Sequence, residues 1–380
     1  MNQGETQLIA ESLREKGHEE VNTPEEADRA LIGSCIVIGK TENRMKKRVK
    51  ELSKTTSKVL VAGCLSTTRK DELLSEYPNL EFITPDEIEM SDSPNCMQND
   101  NPHVASIPVA SGCEGNCSYC ITKLARGSLE SRSIETIKER FEELVNDSVK
   151  EIRLTSQDMS IYGKDRDVDL IDLLKELLKI EGDYRIRVGM MNVDGLLPVK
   201  EGLKDLMKDP RIYNFLHLPL QTGSDALLEK MRRRYTVEEW LQVAEEFRDV
   251  FPDITLSTDV IVGFPGEKEY DFEMTKQVIK EAKPDIVNVT RFSPRQGTSA
   301  YEMDDQVHSQ DKKKRSKEMT NLRLKISRER NEKFTGEERS ALFLEEGKCN
   351  SIKGRMDNYK VVVLKERISN LLGDRRKVKI

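Results

Sequence analysis

The chain has 380 residues, of which 34% are charged and 36% hydrophobic, and its formal net charge is −6. This composition excludes an intrinsically disordered chain, and no apolar run reaches the roughly 20 residues that a membrane-spanning helix needs. The length predicts two or three domains. The polar start shows no signal peptide, and seven cysteines, an odd number, argue against a disulfide framework. We therefore expect a cytoplasmic protein that does not enter a membrane.

Helical and strand-like runs alternate in the first 95 residues. Thr6–Glu15 and Glu42–Leu52 have helical patterns, whereas Ala30–Gly33, Val59–Ala62 and Leu80–Ile83 are short apolar runs typical of strands. Strands that alternate with helices form parallel sheets covered on both faces. The sequence therefore predicts an amino-terminal open parallel sheet.

Cys35 and Cys64 directly follow the first two of these strands. Ligands of open α/β sheets bind beyond the carboxyl ends of the strands, so we expect both thiols at one edge of the sheet. Each cysteine alone is more often a buried core residue. At equivalent positions on successive strands, the two together are candidate metal ligands.

Three further cysteines, Cys113, Cys117 and Cys120, come after a polar stretch, Ser91–Pro102, that is typical of a linker. Thiolates this close repel one another unless a metal neutralises them, and sulfur ligands favour zinc, copper(I) or iron–sulfur clusters. A structural zinc site needs four protein ligands, and no His or Cys lies within the next twenty residues. A cubane cluster held by three thiolates keeps one iron open for a small molecule. The spacing therefore favours an iron–sulfur cluster over zinc or free thiols.

Six strand candidates alternate with helices between Val104 and about Pro294. The strands are Val104–Ala110, Glu151–Thr155, Arg185–Gly189, Phe215–Leu220, Ile254–Val262 and Ile286–Phe292, and examples of the helices are Ile134–Asn146, Leu170–Lys179 and Val237–Val250. A complete (β/α) barrel has eight strands, so these six predict a partial (β/α)6 barrel.

Polar clusters follow four of the predicted barrel strands. They are Ser156-Gln157-Asp158, Met191-Asn192, Gln221-Thr222-Gly223-Ser224 and Gly263-Phe264-Pro265-Gly266-Glu267. Gly, Ser, Asn and Pro favour turns for local reasons alone. Because barrel enzymes place their chemistry at the carboxyl ends of the strands, four such clusters on one rim indicate a binding site.

Positive charge is concentrated at the carboxyl-terminal end. Residues 311–330 contain 9 basic and 3 acidic residues, and residues 331–380 contain 12 basic and 8 acidic residues. A solvated helix beside an ordinary small domain would explain this run. A basic end on an otherwise acidic protein also suits a polyanion such as tRNA, and we expect Lys312–Arg330 and residues 331–380 to contact its backbone.

The cysteine triplet, with Tyr119 before its last member, resembles the loop of radical S-adenosylmethionine (SAM) enzymes. The wider pattern resembles the methylthiotransferase family, including the cysteines in Gly33-Ser34-Cys35 and Ala62-Gly63-Cys64. Five internal runs carry this likeness: Val149–Asp158, His217–Ser224, Met231–Thr236, Thr258–Glu267 and Phe292–Gly297. Ile121–Leu129 resembles the archaeal and eukaryotic branch, which modifies threonylcarbamoyladenosine beside the tRNA anticodon.

The resemblance implies three domains: a methylthiotransferase amino-terminal domain at 1–95, a radical SAM partial barrel at 96–330, and a TRAM-like RNA-binding domain, a small carboxyl-terminal β-barrel, at 331–380. It implies two 4Fe-4S clusters, one on the cysteine triplet and an auxiliary one on Cys35 and Cys64. The expected residues for SAM are Tyr119, Ser156, Gln157, Asp158, Asn192 and Gln221. The implied partners are tRNA, an electron donor of flavodoxin or ferredoxin type and a sulfur source.

The implied reaction has two stages. One SAM donates a methyl group to a sulfur on the auxiliary cluster, and a second is cleaved at the triplet cluster to a radical that abstracts hydrogen from carbon two of the adenine. Family members carry a third amino-terminal cysteine, whereas here Met1-Asn2-Gln3-Gly4-Glu5 matches the segment directly after that cysteine. We therefore expect a start assigned too late, an incomplete auxiliary cluster in the chain as given, and an uncertain activity for that chain.

Two other functions fit the sequence. A sister enzyme could act on another adenosine derivative or on a ribosomal-protein aspartate with the same five cysteines. A protein of another class, a non-catalytic RNA-binding protein stabilised by a metal, would also use the triplet. The iron and zinc contents of protein purified without oxygen separate the last case from the others.

Overall fold

The computed structural model describes residues 2–84, 87, 101–365 and 371–380. Within them lie an amino-terminal parallel sheet, a central set of parallel strands and a carboxyl-terminal antiparallel sheet. The predicted linker Ser91–Pro102 lies outside the described residues, apart from Asn101 and Pro102. None of the helices in the described ranges has the length and apolar character that crossing a membrane requires.

The amino-terminal part is a three-stranded parallel sheet with helices packed on it. Its elements are α1 (Asn2–Glu15), β1 (Arg29–Ser34), α2 (Gly39–Thr55), β2 (Lys58–Gly63), α3 (Cys64–Thr68), α4 (Lys70–Glu76) and β3 (Leu80–Ile83). The strand order is β1-β2-β3, and both pairings are parallel. Val49 and Leu52 of α2 pack on Val59 and Val61 of β2 to form its core. The predicted open parallel sheet is confirmed.

Six parallel strands form the central part, as the sequence predicts. They are β4 (Val104–Pro108), β7 (Glu151–Thr155), β8 (Arg185–Val188), β9 (Phe215–His217), β10 (Thr255–Val262) and β11 (Ile286–Arg291). Backbone bonds join β8 to the chain entering β9, because Ile186 N–H donates to Arg211 O at 2.7 Å and Tyr213 N–H donates to Ile186 O at 3.0 Å. The row is therefore β4-β7-β8-β9-β10-β11. Among the described strands β4 and β11 do not pair, so the barrel is open.

Two predicted strands end early for local reasons. The run Val104–Ala110 divides into β4 and a short β5 (Ala110–Ser111), which pairs antiparallel with β6 (Glu130–Ser131). The run Phe215–Leu220 is strand only to His217. Pro219, which has no N–H to donate, follows two residues later.

Helices accompany these strands and cover their convex face, except α5, which packs on α3 of the amino-terminal part. They are α5 (Thr122–Arg126), α6 (Ile134–Asn146), α7 (Leu170–Leu178), α8 (Val193–Leu196), α9 (Lys200–Leu206), α10 (Asp225–Lys230), α11 (Val237–Val250), α12 (Glu269–Ala282) and α13 (Ser309–Glu332). Ile152 and Leu154 of β7 belong to the same buried core as Phe141 of α6. Because side chains alternate along a strand, Glu151 and Arg153 face the opposite, concave side.

The carboxyl-terminal residues form a four-stranded antiparallel sheet in the order β14-β13-β12-β15. Its strands are β12 (Glu338–Glu346), β13 (Ile352–Met356), β14 (Val361–Leu364) and β15 (Arg375–Lys379). The sheet has its own small core around Phe334 and Phe343. It attaches below the amino ends of the barrel strands, where Asp357 accepts from Arg185 Nη2 at 2.6 Å and its carbonyl accepts from Asn214 N–H at 2.9 Å. That this sheet closes into a small barrel stays a prediction.

The expectation that all of Lys312–Arg330 contacts RNA is wrong for several of its cations. Arg315 is buried, with its Nη1 2.7 Å from Glu267 Oε2, and Arg330 is buried against Asp285. Lys312 Nζ lies 5.0 Å from the centre of the Phe292 ring. These side chains fix α13 to the barrel. The exposed cations of α13 are Lys313, Lys314, Lys317, Lys325 and Arg328.

Asp285, just before β11, joins three parts of the molecule. Its carboxylate accepts from Lys360 Nζ at 2.6 Å, from Arg330 Nε at 3.0 Å and from the Leu256 N–H at 3.1 Å, and Asp285 is only 2% exposed. Burial raises the pKa of Asp285, but Lys360 and Arg330 outweigh it, so this pKa lies below its usual value. The ionised carboxylate therefore stabilises the folded state.

We predict that Asp285→Asn lowers the free energy of unfolding by about 3 kcal/mol at pH 7, since it leaves buried cations without their carboxylate. Urea unfolding followed by the fluorescence of Trp240, the single tryptophan of the chain, measures this. The folded-state pKa of Asp285 is depressed, so its contribution is present above the unfolded value of about 3.9 and lost as the pH falls through the lower, folded value. The difference in free energy of unfolding between Asp285→Asn and wild type should therefore shrink as the pH falls through that range. Asp304→Asn, at an exposed carboxylate, should change stability little; equal effects of both substitutions would contradict this account.

Candidate metal and cofactor site

The loop between β5 and α5 carries Cys113, Cys117 and Cys120, all three partly buried. A tight backbone approach shapes its start. Gly112 has φ +71°, and a Cβ at this position would lie 1.7 Å from the carbonyl oxygen of Ser128. No residue with a side chain fits there, so Gly112 allows the loop to leave β5 in this direction.

Two of the three thiols turn toward the same backbone segment. A Cβ added at Gly115 would lie 3.2 Å from Cys113 Sγ and 3.8 Å from Cys117 Sγ. The Gly115 N–H donates to Cys113 Sγ at 3.2 Å, and Arg233 Nη1 donates to Cys117 Sγ at 3.2 Å. Both donors stabilise sulfur that carries negative charge.

The protein alone keeps two of these thiols protonated. Burial raises the pKa of Cys113 to about 11, and the charges of Asp158, Cys120 and Cys117 add to the effect against the Gly115 N–H. Burial also raises the pKa of Cys120. Metal ligation requires thiolates, so a bound metal must displace these protons and supply the neutralising charge.

In the described part of the chain, no three His, Cys, Asp or Glu side chains are placed to hold one metal ion. A structural zinc ion takes four protein ligands, whereas a cubane held by three thiolates keeps one iron open for a small molecule. The donor set of three cysteines in one loop therefore fits a cluster better than a lone ion.

A hydrogen-bonded chain connects the rim of the barrel to the cysteine loop. Asn192 donates from its N–H to Asp158 Oδ1 at 3.1 Å and from Nδ2 to Asp158 Oδ2 at 2.6 Å. Arg233 Nη2 donates to Asn192 Oδ1, while Nη1 of the same guanidinium reaches Cys117. Of the two predicted rim residues, Asn192 thus lies two hydrogen bonds from the Cys117 thiol and Asp158 lies three.

Polar atoms beside this chain lack partners. Ser156 Oγ and both amide atoms of Gln157, Nε2 and Oε1, are buried without a hydrogen bond among the described residues. Each such group costs about 1–3 kcal/mol when left unsatisfied. A polar ligand at the carboxyl end of β7 would satisfy them. SAM, with its amino, carboxylate and hydroxyl groups, has the chemistry that these atoms require.

The two remaining predicted cofactor residues, Tyr119 and Gln221, both lie near β10. Tyr119 packs edge-on against Phe264 with ring centres 6.3 Å apart, in a small apolar cluster. Gln221 has φ +67°, and its N–H donates to Asp259 O at 2.8 Å, which ties this residue to β10. That both residues bind the cofactor stays a prediction.

Cys35 and Cys64 lie directly after β1 and β2, as predicted. Ser34 holds these strand ends together, since its Oγ donates to Ala62 O at 2.5 Å and accepts from the Leu65 N–H at 3.0 Å. β1 and β2 pair in register up to Ser34 and Gly63. The two cysteines therefore project from the same edge of the sheet.

The amino-terminal sheet packs directly on the cysteine loop. Ile121 and Ala125, just after Cys120, belong to the same buried cluster as Cys64 and Leu65. Arg126 of α5 donates to both carboxylate oxygens of Glu5 in α1, at 2.5 and 2.6 Å.

The charge of Arg126 also acts on Cys64. Burial raises the pKa of the Cys64 thiol, and Arg126 partly offsets this rise. Cys64, which begins α3, and the triplet, which directly precedes α5, thus belong to the two segments that pack together here.

Several residues at the site were not predicted individually. Arg126 and Arg233 lie within runs that carried the family resemblance, so that likeness could have found them. Inside the barrel, His217 Nε2 lies 3.2 Å from Asp259 Oδ2, and Asn288 Nδ2 donates to Asp259 Oδ1 at 2.8 Å. These three come from neighbouring strands, and only the strand order reveals that they meet.

Known protein families and a solved structure match most of this chain. Residues 107–279 match the radical SAM superfamily, and residues 1–84 match the uncharacterized protein family UPF0004. The fold is similar to that of a radical SAM methyltransferase from Kitasatospora setae, solved with cobalamin and a [4Fe-4S] cluster. The TM-score is 0.59 at 13% identity, and the match covers 78% of this chain and 73% of that chain.

Full-length relatives give the finer classification. A protein of Methanocaldococcus jannaschii named "probable threonylcarbamoyladenosine tRNA methylthiotransferase" is 37% identical, over 100% of this chain and 92% of its own length. One of the same name from Archaeoglobus fulgidus is 36% identical over 95% and 90%. A Dictyoglomus thermophilum protein named tRNA-2-methylthio-N(6)-dimethylallyladenosine synthase is 33% identical over 100% and 93%. The chain belongs to the methylthiotransferase family of radical SAM proteins.

Proposed function

We propose that the protein adds a methylthio group to carbon two of threonylcarbamoyladenosine, next to the anticodon of tRNA. The observation that carries the proposal is the packing of α3 on α5, because α3 begins at Cys64 and α5 directly follows the triplet. This packing joins the segments that carry the two cysteine groups. One group is suited to cleaving SAM and the other to holding the sulfur that is transferred. The archaeal relatives with 36–37% identity support the choice of base.

In this proposal, Cys113, Cys117 and Cys120 hold a 4Fe-4S cluster, and Cys35 and Cys64 contribute to an auxiliary one. When bound, the triplet cluster supplies the electron that cleaves the sulfonium of SAM. Arg233 and the Gly115 N–H stabilise thiolate charge at Cys117 and Cys113.

The rim residues Asp158, Asn192, Ser156, Gln157 and Gln221 bind and orient the polar groups of SAM. Asp158 keeps the Asn192 amide fixed, and Asn192 in turn orients Arg233. The unsatisfied atoms of Ser156 and Gln157 are free to bond the cofactor. Tyr119 and Phe264 form the apolar wall against which the adenine of the cofactor packs.

The remaining partners follow from the reaction. The proposed partners besides tRNA are an electron donor of flavodoxin or ferredoxin type, which would supply the electron for the triplet cluster, and a separate source of the transferred sulfur. Exposed lysines of α13 and the carboxyl-terminal sheet contact the tRNA backbone, while Lys312, Arg315 and Arg330 serve the fold. Phosphate contacts of this kind position the RNA without reading its sequence.

A relative named for dimethylallyladenosine makes that base the second candidate. We predict that deleting the gene abolishes the 2-methylthio derivative of threonylcarbamoyladenosine in bulk tRNA and leaves its unmethylthiolated precursor. Mass spectrometry of nucleosides from the deleted and the complemented strain measures this. Loss of a methylthio derivative of dimethylallyladenosine instead would favour the second candidate, and unchanged nucleosides would refute both.

The triplet predicts an oxygen-sensitive chromophore. Replacing Cys113, Cys117 or Cys120 with Ala should remove about four iron atoms per chain and abolish formation of deoxyadenosine, since a cubane cannot keep its open iron without these ligands. Anaerobic reconstitution with iron and sulfide analysis measures this. Cys349→Ala, at an exposed cysteine between β12 and β13, should match wild type. A triple variant that still cleaves SAM would exclude the assignment.

The two amino-terminal cysteines should act at a different stage. Cys35→Ala or Cys64→Ala should leave deoxyadenosine formation within about twofold of wild type and reduce methylthio transfer to the detection limit, because the triplet stays intact. Parallel assays of deoxyadenosine and of methylthiolated nucleoside, with Cys349→Ala as the control, separate the two steps. Equal loss of both products would place all five cysteines in a single site.

A further inference from the structure

A pair of arginines lies side by side on the concave face of the barrel. Arg153 of β7 and Arg187 of β8 are register partners. Ile152 and Ile186, the residues before them, are buried in the core shared with the covering helices. Alternation therefore turns both arginines toward the lumen. Like charges directly opposite each other destabilise a sheet, so this pairing requires compensation.

Of the two arginines, only Arg153 has a carboxylate partner among the described residues. Glu151 Oε1 lies 2.6 Å from Arg153 Nη2. The other oxygen of Glu151 lies 3.3 Å from Nε of Arg355. Arg355 belongs to β13, so the carboxyl-terminal sheet brings a third guanidinium to the amino-terminal end of the barrel, here called the floor. The next carboxylate, Glu345, lies 3.5 Å from Arg355 Nη2. Both carboxylates of the floor are thus engaged by cations other than Arg187.

Arg187 makes no hydrogen bond or ion pair with any residue that the structure describes. Its Nε is buried without a partner. Its guanidinium lies over aromatic rings, 4.9 Å from the centre of Phe215 and 5.9 Å from the centre of Tyr359. Burial lowers the pKa of Arg187, as do the charges of Arg153 and Arg355, while Tyr359 and Glu151 oppose the effect. A guanidinium nevertheless stays protonated in a protein, so its charge requires an anion.

We propose that Arg187, with Arg153 beside it, binds the carboxylate of the substrate's threonylcarbamoyl group. The inference rests on the proposed function, because that group ends in the free carboxylate of threonine. A guanidinium binds a carboxylate through two parallel N–H···O bonds, and the contact is strongest where water is scarce. The flat rings of Phe215 and Tyr359 hold the Arg187 guanidinium in place for this contact.

The position of Arg187 suits a ligand that enters from the rim. Asn192, at the rim, follows Arg187 by five residues, so the two lie at most about 17 Å apart along the chain. Between floor and rim, the lumen carries the polar trio His217, Asp259 and Asn288. A purine whose carbon two faces the rim therefore extends its threonylcarbamoyl group toward Arg187.

The test compares the binding of three anticodon stem-loops. One carries threonylcarbamoyladenosine, one carries its threonyl amide, which removes only the negative charge, and one carries unmodified adenosine. Wild type should bind the carboxylate form at least about tenfold more tightly than the amide, as expected for a charged hydrogen bond. R187Q should remove this preference, and R187K should keep part of it. Arg328→Gln, at an exposed arginine of α13, should keep the full preference.

Each result has a separate meaning. If wild type does not distinguish threonylcarbamoyladenosine from adenosine, the proposed function itself fails. If wild type prefers the carboxylate form and R187Q, folded by its melting curve, keeps that preference, Arg187 is not the anion site. If R187Q weakens SAM binding without RNA while keeping the stem-loop preference, the bound carboxylate is that of the cofactor and the inference is overturned.

Discussion

The packing of α3 on α5 is the contact on which the candidate site depends, because it joins the element that begins at Cys64 to the element that follows the cysteine triplet. Cys64 begins α3 and shares a buried cluster with Ile121 and Ala125, which come directly after the cysteine triplet. The ion pair between Arg126 and Glu5 lies at the same contact and is almost fully buried. Breaking such a pair from one side costs about 3–5 kcal/mol, so the two sheets resist separation there.

Several charged and polar side chains are buried in this molecule. Some have ion-pair or hydrogen-bond partners, and others have none among the described residues. Asp285 is surrounded by cations and Glu267 by Arg315 and a backbone N–H, which are arrangements that maintain the fold. Ser156, Gln157 and Arg187, in contrast, lack partners among the described residues. Buried polar groups without a hydrogen bond cost stability, and proteins retain such costs at functional sites. All three lie on the rim or the concave face of the barrel.

The local sequence pattern predicts the helices and strands of this chain but not the contacts between them. The three predicted sheet strands of the amino-terminal part and all six of the barrel are present, and the cysteines lie at the strand ends and loop where spacing put them. Arg153 and Arg187 lie opposite each other because of the register between β7 and β8. The hydrophobic periodicity of each strand does not predict that register. On α13 the signal was available: Arg315, Met319, Ile326 and Arg330 recur at helical spacing and share one buried face.

The attachment of the carboxyl-terminal sheet has a consequence for how the chain is made. Two buried carboxylates of the barrel, Glu151 and Asp285, take cations from Arg355 and Lys360. A ribosome delivers those residues only after the six barrel strands have emerged, and domains otherwise tend to fold in the order of synthesis. Until then the barrel carries buried negative charge that is only partly neutralised. Docking of the carboxyl-terminal sheet, rather than formation of the barrel strands, is thus the event that neutralises these carboxylates and completes the stability of the barrel.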